Sequence, residues 1–523
     1  MVIHGPAELV LGLLIAVAAL VTIARHLEIA YPIFLVIGGL VLGLIPGLPR
    51  VQVDPDLIFL IVLPPLLYIA AFYTPIQSLR ANLGTISSLA VGLVIVSASA
   101  VATAAHALIP GIPWSAAFAL GAIVAPPDAI AATAVTRRLA VPRRIVTILE
   151  GESLLNDATA LTIYSIALAV AAGGVFSPSG AVVTFAGTIL GGVVIGVAVG
   201  WIIAHIRARI EDTPVEMTIS LLTPYAAFLP ADRLDVSGVI ATVAAGLFLG
   251  HRGSRIMGAD ARLTGRALWE TITFLLNGFV FIVMGLEIPL LLRTLTLHQA
   301  IRLIGIGVAV TALLVLVRAV WILVTAYLPQ RVHAQRDALA YALVLSWAGM
   351  RGVVSLAAVL ALPLTVSGDR PFPAREALVV VTLTVIVLTL VGQGLTLPSV
   401  IRALRLTTDT GLRAEEARAR QHLLEAATRR LDELYRVWPG HRPLLDELRQ
   451  TYRHRSEHVE RQRDASEGSP EDQELIEHRE IRRTIIASER EALLRLSADE
   501  EVSDEVLREL ERELDLEERR MDV

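Results

Sequence analysis

The chain has 523 residues, 54% of them hydrophobic, with a net charge of −5 and a mean hydropathy of +0.64. Soluble globular chains average roughly 45–50% apolar residues, so a soluble protein of this length is excluded. Cysteine is absent, which excludes disulfides, thiolate metal sites and thiol redox chemistry, and all 45 basic residues are arginine, which excludes a lysine Schiff base.

Apolar blocks of about 20 residues recur along the chain, each long enough to cross a hydrocarbon core of roughly 30 Å at ~1.5 Å per residue. They predict spans near 7–25, 30–48, 55–73, 85–108, 114–135, 144–174, 181–204, 214–230, 235–250, 268–292, 301–328, 337–364 and 374–398. The expected fold class is an all-α polytopic membrane protein of about thirteen transmembrane helices. The first block reads as a retained span, not a cleaved leader. Arginine placement sets the orientation. Odd-numbered loops carry Arg25, Arg80, Arg137, Arg138, Arg143, Arg144, Arg207, Arg209, Arg252, Arg255, Arg262, Arg266, Arg331 and Arg336. Even-numbered loops carry only Arg50, Arg233, Arg293, Arg302, Arg370 and Arg375. This excess predicts an N-terminus outside and a segment after Pro398 in the cytoplasm.

The fifth span is interrupted by Ala125-Pro126-Pro127-Asp128. Two consecutive prolines remove two helix donors, so the helix must open, and Asp128 then starts the second half-helix, where a carboxylate offsets the positive dipole end. In the twelfth span Gly349 and Gly352 weaken the helix around Arg351, whose cation can meet freed carbonyls. Breaks in spans five and twelve fit two inverted six-helix repeats with two discontinuous crossing helices, the sequence pointer to a secondary transporter's site.

The sixth span carries Glu152, Ser153, Asn156 and Asp157. Glu152 and Asn156 share one helical face, and Ser153 shares the adjacent face with Asp157. Arg351, read as the one cation deep in any span, needs an anion, and Glu152 is its expected partner. Asp157 is then left free to titrate, and a proton and a small cation can compete for it. Asn156 carries no charge, so one carboxylate would exchange one proton for one monovalent cation, an electroneutral cycle.

From about residue 407 the chain turns highly charged, with leucines at helical spacing and breakers at Trp438-Pro439-Gly440 and Ala465–Pro470. A cytoplasmic helical domain over 407–523 is expected, beside a transmembrane exchanger domain over 1–406.

Four motifs together resemble the bacterial monovalent cation/proton antiporters of the sodium/proton exchanger family. These are Glu150-Gly151-Glu152-Ser153-Leu154-Leu155-Asn156-Asp157, Gly349-Met350-Arg351-Gly352, Val124-Ala125-Pro126-Pro127-Asp128-Ala129 and Leu63-Pro64-Pro65-Leu66-Leu67-Tyr68. The resemblance implies that Asp157 binds the cation and the proton, with Ser153 and the backbone of Pro127 nearby. It implies that Asn156 and Asp128 stabilise the crossing and that Glu152 pairs with Arg351. It further implies an elevator-like movement in a homodimer of the bacterial inner membrane, with Na⁺ (alternatively Li⁺ or K⁺) held transiently by Asp157 and Ser153. No cofactor and no nucleic-acid partner are implied. The family's crossing motif commonly reads Thr-Asp-Pro where Pro127-Asp128-Ala129 stands here, and some members have glutamate near the position of Ile69. An organic-anion carrier would want a free cationic site, and a membrane-anchored sensor would not need two broken helices. An enzyme is disfavoured, since His4, His26, His106 and His251 form no triad or metal spacing.

Overall fold

The computed structural model describes residues 6–27, 30–45, 58–136, 139, 141–210, 212–292, 295–327, 338–366, 370–404, 410–464, 470–498 and 504–521. Six of the loop arginines (Arg50, Arg137, Arg138, Arg293, Arg331 and Arg336) lie outside these residues, as do His4 and the polar gap at 465–469. Two compact units divide the chain, residues 1–408 and 409–523.

The first unit is helical, and its helices run α1 Pro6–His26, α2 Tyr31–Leu44, α3 Leu63–Tyr73 and α4 Leu83–Leu108. The fifth helix is interrupted, α5a being Trp114–Val124 and α5b Ala129–Thr136. Then come α6 Arg143–Ala171, α7 Pro178–Arg207, α8 Thr213–Arg233, α9 Gly238–Ile256, α10 Ala259–Leu292 and α11 Leu297–Ile322. The twelfth is interrupted too, as α12a Ala338–Trp347 and α12b Val353–Leu360, and α13 spans Arg375–Leu404. Helices α4, α5, α6, α7, α10, α11 and α13 are long and apolar enough to cross a membrane, and α1, α2 and α3 are shorter apolar helices.

Local chemistry fixes several starts. Pro178 follows the Ser177 cap of α7, whose hydroxyl accepts the Gly180 N–H, and Asp212 caps α8 by accepting the Val215 N–H at 3.0 Å. Thr296 and Gln299 form a capping box at the start of α11. Close approach of α2 and α10 requires glycine: a Cβ on Gly39 would lie 2.3 Å from the Ile282 carbonyl oxygen. The largest apolar cluster draws on α2, α4, α5a, α6, α10, α11 and both halves of α12. A separate belt joins Leu63 and Leu67 of α3 to Leu154 and Ala158 of α6 and to Val239 and Val243 of α9. It therefore holds α6 against α3 and α9 on either side of the expected ion carboxylate. A two-residue β-hairpin pairs Thr365 with Pro371 and Val366 with Arg370 beyond α12b.

The second unit contains α14 Thr410–Val437, α15 Arg442–Asp464, α16 Pro470–Ala498 and α17 Asp504–Met521. The 3₁₀ turn at Pro439–His441 makes α14 and α15 a hairpin, across which Arg449 pairs with Asp432 and stacks 4.7 Å from the Tyr435 ring. In the other hairpin Arg490 reaches Asp515 at 2.8 Å and Glu518 at 2.9 Å.

Candidate functional site

Two broken helices meet at the centre of the first unit. Helix α5a stops at Val124 because Pro126 and Pro127 cannot continue its ladder, and this leaves the Val124 and Ala125 carbonyls unpaired within the helix. Arg351, in the gap between α12a and α12b, donates through Nε to Val124 O at 3.0 Å and through Nη2 to Ala125 O at 3.3 Å. Its Nη1 also contacts Gly349 O, and its backbone N–H donates to Thr389 Oγ1 of α13 at 3.1 Å. A guanidinium thus sits at a helix C-terminus, where the macrodipole favours a cation.

The acidic side mirrors this. Asp128 accepts the Ile130 N–H through Oδ1 at 2.8 Å and the Val353 N–H through Oδ2 at 3.2 Å, so one carboxylate caps the N-termini of α5b and α12b together. The Asp128 N–H donates to Met350 O at 2.7 Å. Each broken helix satisfies the exposed backbone of the other, which is how non-helical backbone is tolerated at membrane depth.

Helix α6 passes beside this crossing. Asn156 donates through Nδ2 to Pro127 O at 2.8 Å, and Ser153 Oγ accepts the Ala129 N–H at 3.3 Å. Asp157 is buried within reach of the like charge on Asp128, and among the described residues no hydrogen bond or ion pair involves its own carboxylate. Ser153, Asn156, Pro127, Asp128 and Asp157 are therefore brought together.

Glu152 is not the partner of Arg351. Its two carboxylate oxygens accept from Arg318 of α11, at 2.6 Å from Nη1 and 2.8 Å from Nη2, with both side chains 1% exposed. Arg318 Nε donates in addition to Leu345 O near the end of α12a, at 2.9 Å. The correction has a geometric cause: Arg351 is spent on the carbonyls of α5a, whereas Arg318 presents the planar fork that a carboxylate fits. Sequence reasoning missed Arg318 by treating Arg351 as the one deep cation. The signal was present, since Arg318 lies mid-way through an apolar run between Val317 and Ala319.

A second correction concerns Arg207, placed above among loop residues. It is buried at the end of α7 and paired with Glu216 of α8, Nη2 to Oε1 at 2.9 Å and Nε to the same oxygen at 3.2 Å. Nearby, Trp269 of α10 donates through Nε1 to Ser220 Oγ at 3.0 Å and packs on the Tyr68 ring of α3. This polar knot ties α3, α7, α8 and α10 together, away from the crossing.

Paired broken helices, opposite charges on their opened ends and one unpaired carboxylate beside them define a class, the helical carriers whose ion site lies at a crossing. The family model for the transmembrane sodium/hydrogen exchanger matches residues 12–403, and the chain belongs to that family. An uncharacterized Na(+)/H(+) exchanger of Mycobacterium tuberculosis is 35% identical across 98% of this chain and 97% of its own length. The Na(+)/H(+) antiporter ApNhaP of Aphanothece halophytica is 33% identical over 80% of this chain and 78% of that protein. A sodium, potassium, lithium and rubidium/H(+) antiporter of Bacillus subtilis is 32% identical over 71% of this chain and 57% of that protein. The fold resembles that of the sodium proton antiporter MjNhaP1 of Methanocaldococcus jannaschii at pH 8, with a TM-score of 0.59 and 20% identity over 76% of this chain and 98% of that one.

Proposed function

We propose that the protein exchanges Na⁺ for protons across the bacterial inner membrane by alternating access, with Asp157 as the carboxylate the two ions share. The observation that carries this reading is a difference in pairing. Glu152 is neutralised by Arg318, Arg351 and Asp128 are committed to the crossing, and the Asp157 carboxylate has no such partner among the described residues. Burial makes its charge costly unless a cation or a proton neutralises it, so binding of one excludes the other. Ser153 Oγ, Asn156 Oδ1 and the Pro127 carbonyl are the neutral oxygens grouped around α6 and the crossing that would complete a cation's shell. With Asn at 156, one carboxylate carries one charge, and the one-for-one exchange is electroneutral.

In this reading thirteen spans form two inverted six-helix repeats with the seventh between them, the N-terminus is outside, and residues 407–523 are cytoplasmic. The crossing unit moves elevator-like against the rest in a homodimer. A second reading, K⁺/H⁺ exchange, draws on the Bacillus relative, whose name includes potassium and rubidium. Fluorescence dequenching in everted vesicles with Na⁺, Li⁺ and K⁺ across pH, run with and without residues 407–523, decides between the ions. Asp157→Asn should abolish cation-driven proton flux while the protein remains folded in the membrane. Normal exchange by that variant would sink the mechanism.

A further inference from the structure

Helix α13 stands to the break in α12 as α6 stands to the break in α5. On α6, Asn156 fixes the Pro127 carbonyl of one break. On α13, Thr389 fixes the other, its Oγ1 accepting the Arg351 N–H at 3.1 Å. Four residues beyond Thr389, on the same face, α13 carries a second polar side chain, Gln393.

Gln393 is 4% exposed, and neither its Oε1 nor its Nε2 has a hydrogen-bond partner among the described residues. It closes a π-helical stretch, Leu388–Gln393, a local widening that recurs at functional sites. Its neighbours locate it. Thr389 meets Arg351, and a Cβ on Gly394 would lie 3.5 Å from Met350 Sδ and 2.5 Å from Ile33 Cδ1 of α2. The amide therefore borders the gap between α12a and α12b, where an unpaired buried polar group costs about 1–3 kcal/mol.

The same gap frees backbone acceptors. Helix α12a ends at Trp347; Val344 O accepts the Ala348 N–H at 2.9 Å and Leu345 O accepts from Arg318 Nε at 2.9 Å. Among the described residues no hydrogen bond ends on the Ser346, Trp347 or Ala348 carbonyl. The break also supplies space, since residues 348–352 leave the helical path and Gly349 and Gly352 bring no side chain.

Charge decides what can occupy that space. A Cβ on Gly349 would lie 2.8 Å from Arg318 Nε and 3.2 Å from Arg351 Nη1, so two guanidiniums flank it. Of the two, only Arg318 has a carboxylate partner among the described residues. A cation is repelled there. An anion would face the carbonyl end of α12a, the negative pole of its dipole. A neutral molecule that both donates and accepts suits the amide and the carbonyls together, and water is held by two to four such polar partners.

We propose that the gap between α12a and α12b holds an ordered water, bound by the Gln393 amide and shared with the freed carbonyls at the end of α12a. Gln393 is then a positioning residue. Through the water it steadies the stretch leading to Met350, whose carbonyl accepts the Asp128 N–H at 2.7 Å. The inference goes beyond the antiport reading and does not depend on which ion is carried.

Hydroxyl-radical footprinting of the full-length protein in nanodiscs tests it, because X-ray radiolysis of a bound water oxidises side chains that bulk solvent does not reach. Met350 and Met284 are both 0% exposed, and Met350 lies at the gap whereas Met284 belongs to α10. Met350 should be oxidised severalfold faster than Met284. In Gln393→Leu the water loses its anchor, so the Met350 rate should fall to that of Met284 and the protein should melt earlier. A bare amide would behave in the opposite way, because leucine would remove an unpaired buried group and raise the melting temperature. Gln393→Asn keeps the amide and should keep the fast oxidation of Met350, which a role in packing alone would not require. Equal oxidation of Met350 and Met284 in the unaltered protein, a higher melting temperature of Gln393→Leu, or slow oxidation in Gln393→Asn would each overturn the proposal. The first comparison needs no variant and stands if Gln393→Leu fails to fold. Fast Met350 oxidation in a protein that exchanges no cation would instead overturn the antiport reading and leave the water site in place.

Discussion

Arg318 holds both carboxylate oxygens of Glu152 in a two-pronged ion pair inside the protein, joining α11 to α6 one turn before Asp157. The same guanidinium bonds the Leu345 carbonyl, so α12a is tied to the helix that carries Asp157. The pair fixes the backdrop of the site, with both side chains buried.

Removing either partner should leave an uncompensated buried charge. Glu152→Gln and Arg318→Met are each expected to destabilise the protein by about 3–5 kcal/mol. The double variant should cost clearly less than the sum of the two. Thermal unfolding in detergent, read for all four members of the cycle, checks this, and additive losses would mean that the two side chains act independently.

Arg351→Lys keeps the charge but cannot reach the Val124 and Ala125 carbonyls together, because an ammonium lacks the guanidinium's spread of donors. Two weakened charge-assisted hydrogen bonds correspond to roughly 2–4 kcal/mol. The variant should melt earlier and exchange more slowly in proteoliposomes, with Glu152 still paired. Wild-type turnover would show that the carbonyl contacts are dispensable.

Gly352 allows the tightest approach at the crossing. A Cβ there would stand 1.9 Å from Asp128 Oδ2, so Gly352→Ala must push the Asp128 carboxylate off the Val353 N–H. A loss of exchange is expected together with roughly 1–3 kcal/mol of stability. Gly392→Ala on α13, where a Cβ meets nothing within 4 Å, is the matched control and should transport normally. Equal activity of the two variants in vesicles would contradict the assigned contact.

In the charged tail the Tyr435 hydroxyl is hydrogen-bonded to Asp446, and that bond raises the phenol's pKa above its usual value. The neutral phenol is the favoured form in the folded hairpin. Its contribution is present below the unfolded phenol's pKa and is lost as pH rises through the folded one. Asp446→Asn should let one tyrosine ionise at lower pH, which an alkaline absorbance titration of the full chain detects. Superimposable curves would mean that this hydrogen bond does not form in solution.

The breaks in α5 and α12 are legible in the sequence because their causes are local: two prolines in one case, two glycines around an arginine in the other. The grouping of Glu152, Ser153, Asn156 and Asp157 follows from helical periodicity alone. The choice of partner for Glu152 does not, since two arginines far apart in sequence both lie near it and only tertiary packing decides which guanidinium aligns its fork. Arg318 is hidden by averaging, as one charge barely alters the hydropathy of a 26-residue apolar helix. Arg207 is hidden differently, at a helix end where arginine ordinarily faces water. The second cap made by Asp128, on α12b, was equally out of reach, because it depends on two broken helices meeting 225 residues apart in sequence.

That shared cap also binds the two positions in descent. A lineage that enlarges residue 352 must at once shorten or withdraw the side chain at 128, and one that replaces Asp128 leaves two helix ends uncapped and gains room beside Gly352. The two halves of the chain, whatever their separate histories, can therefore drift at the crossing only in step.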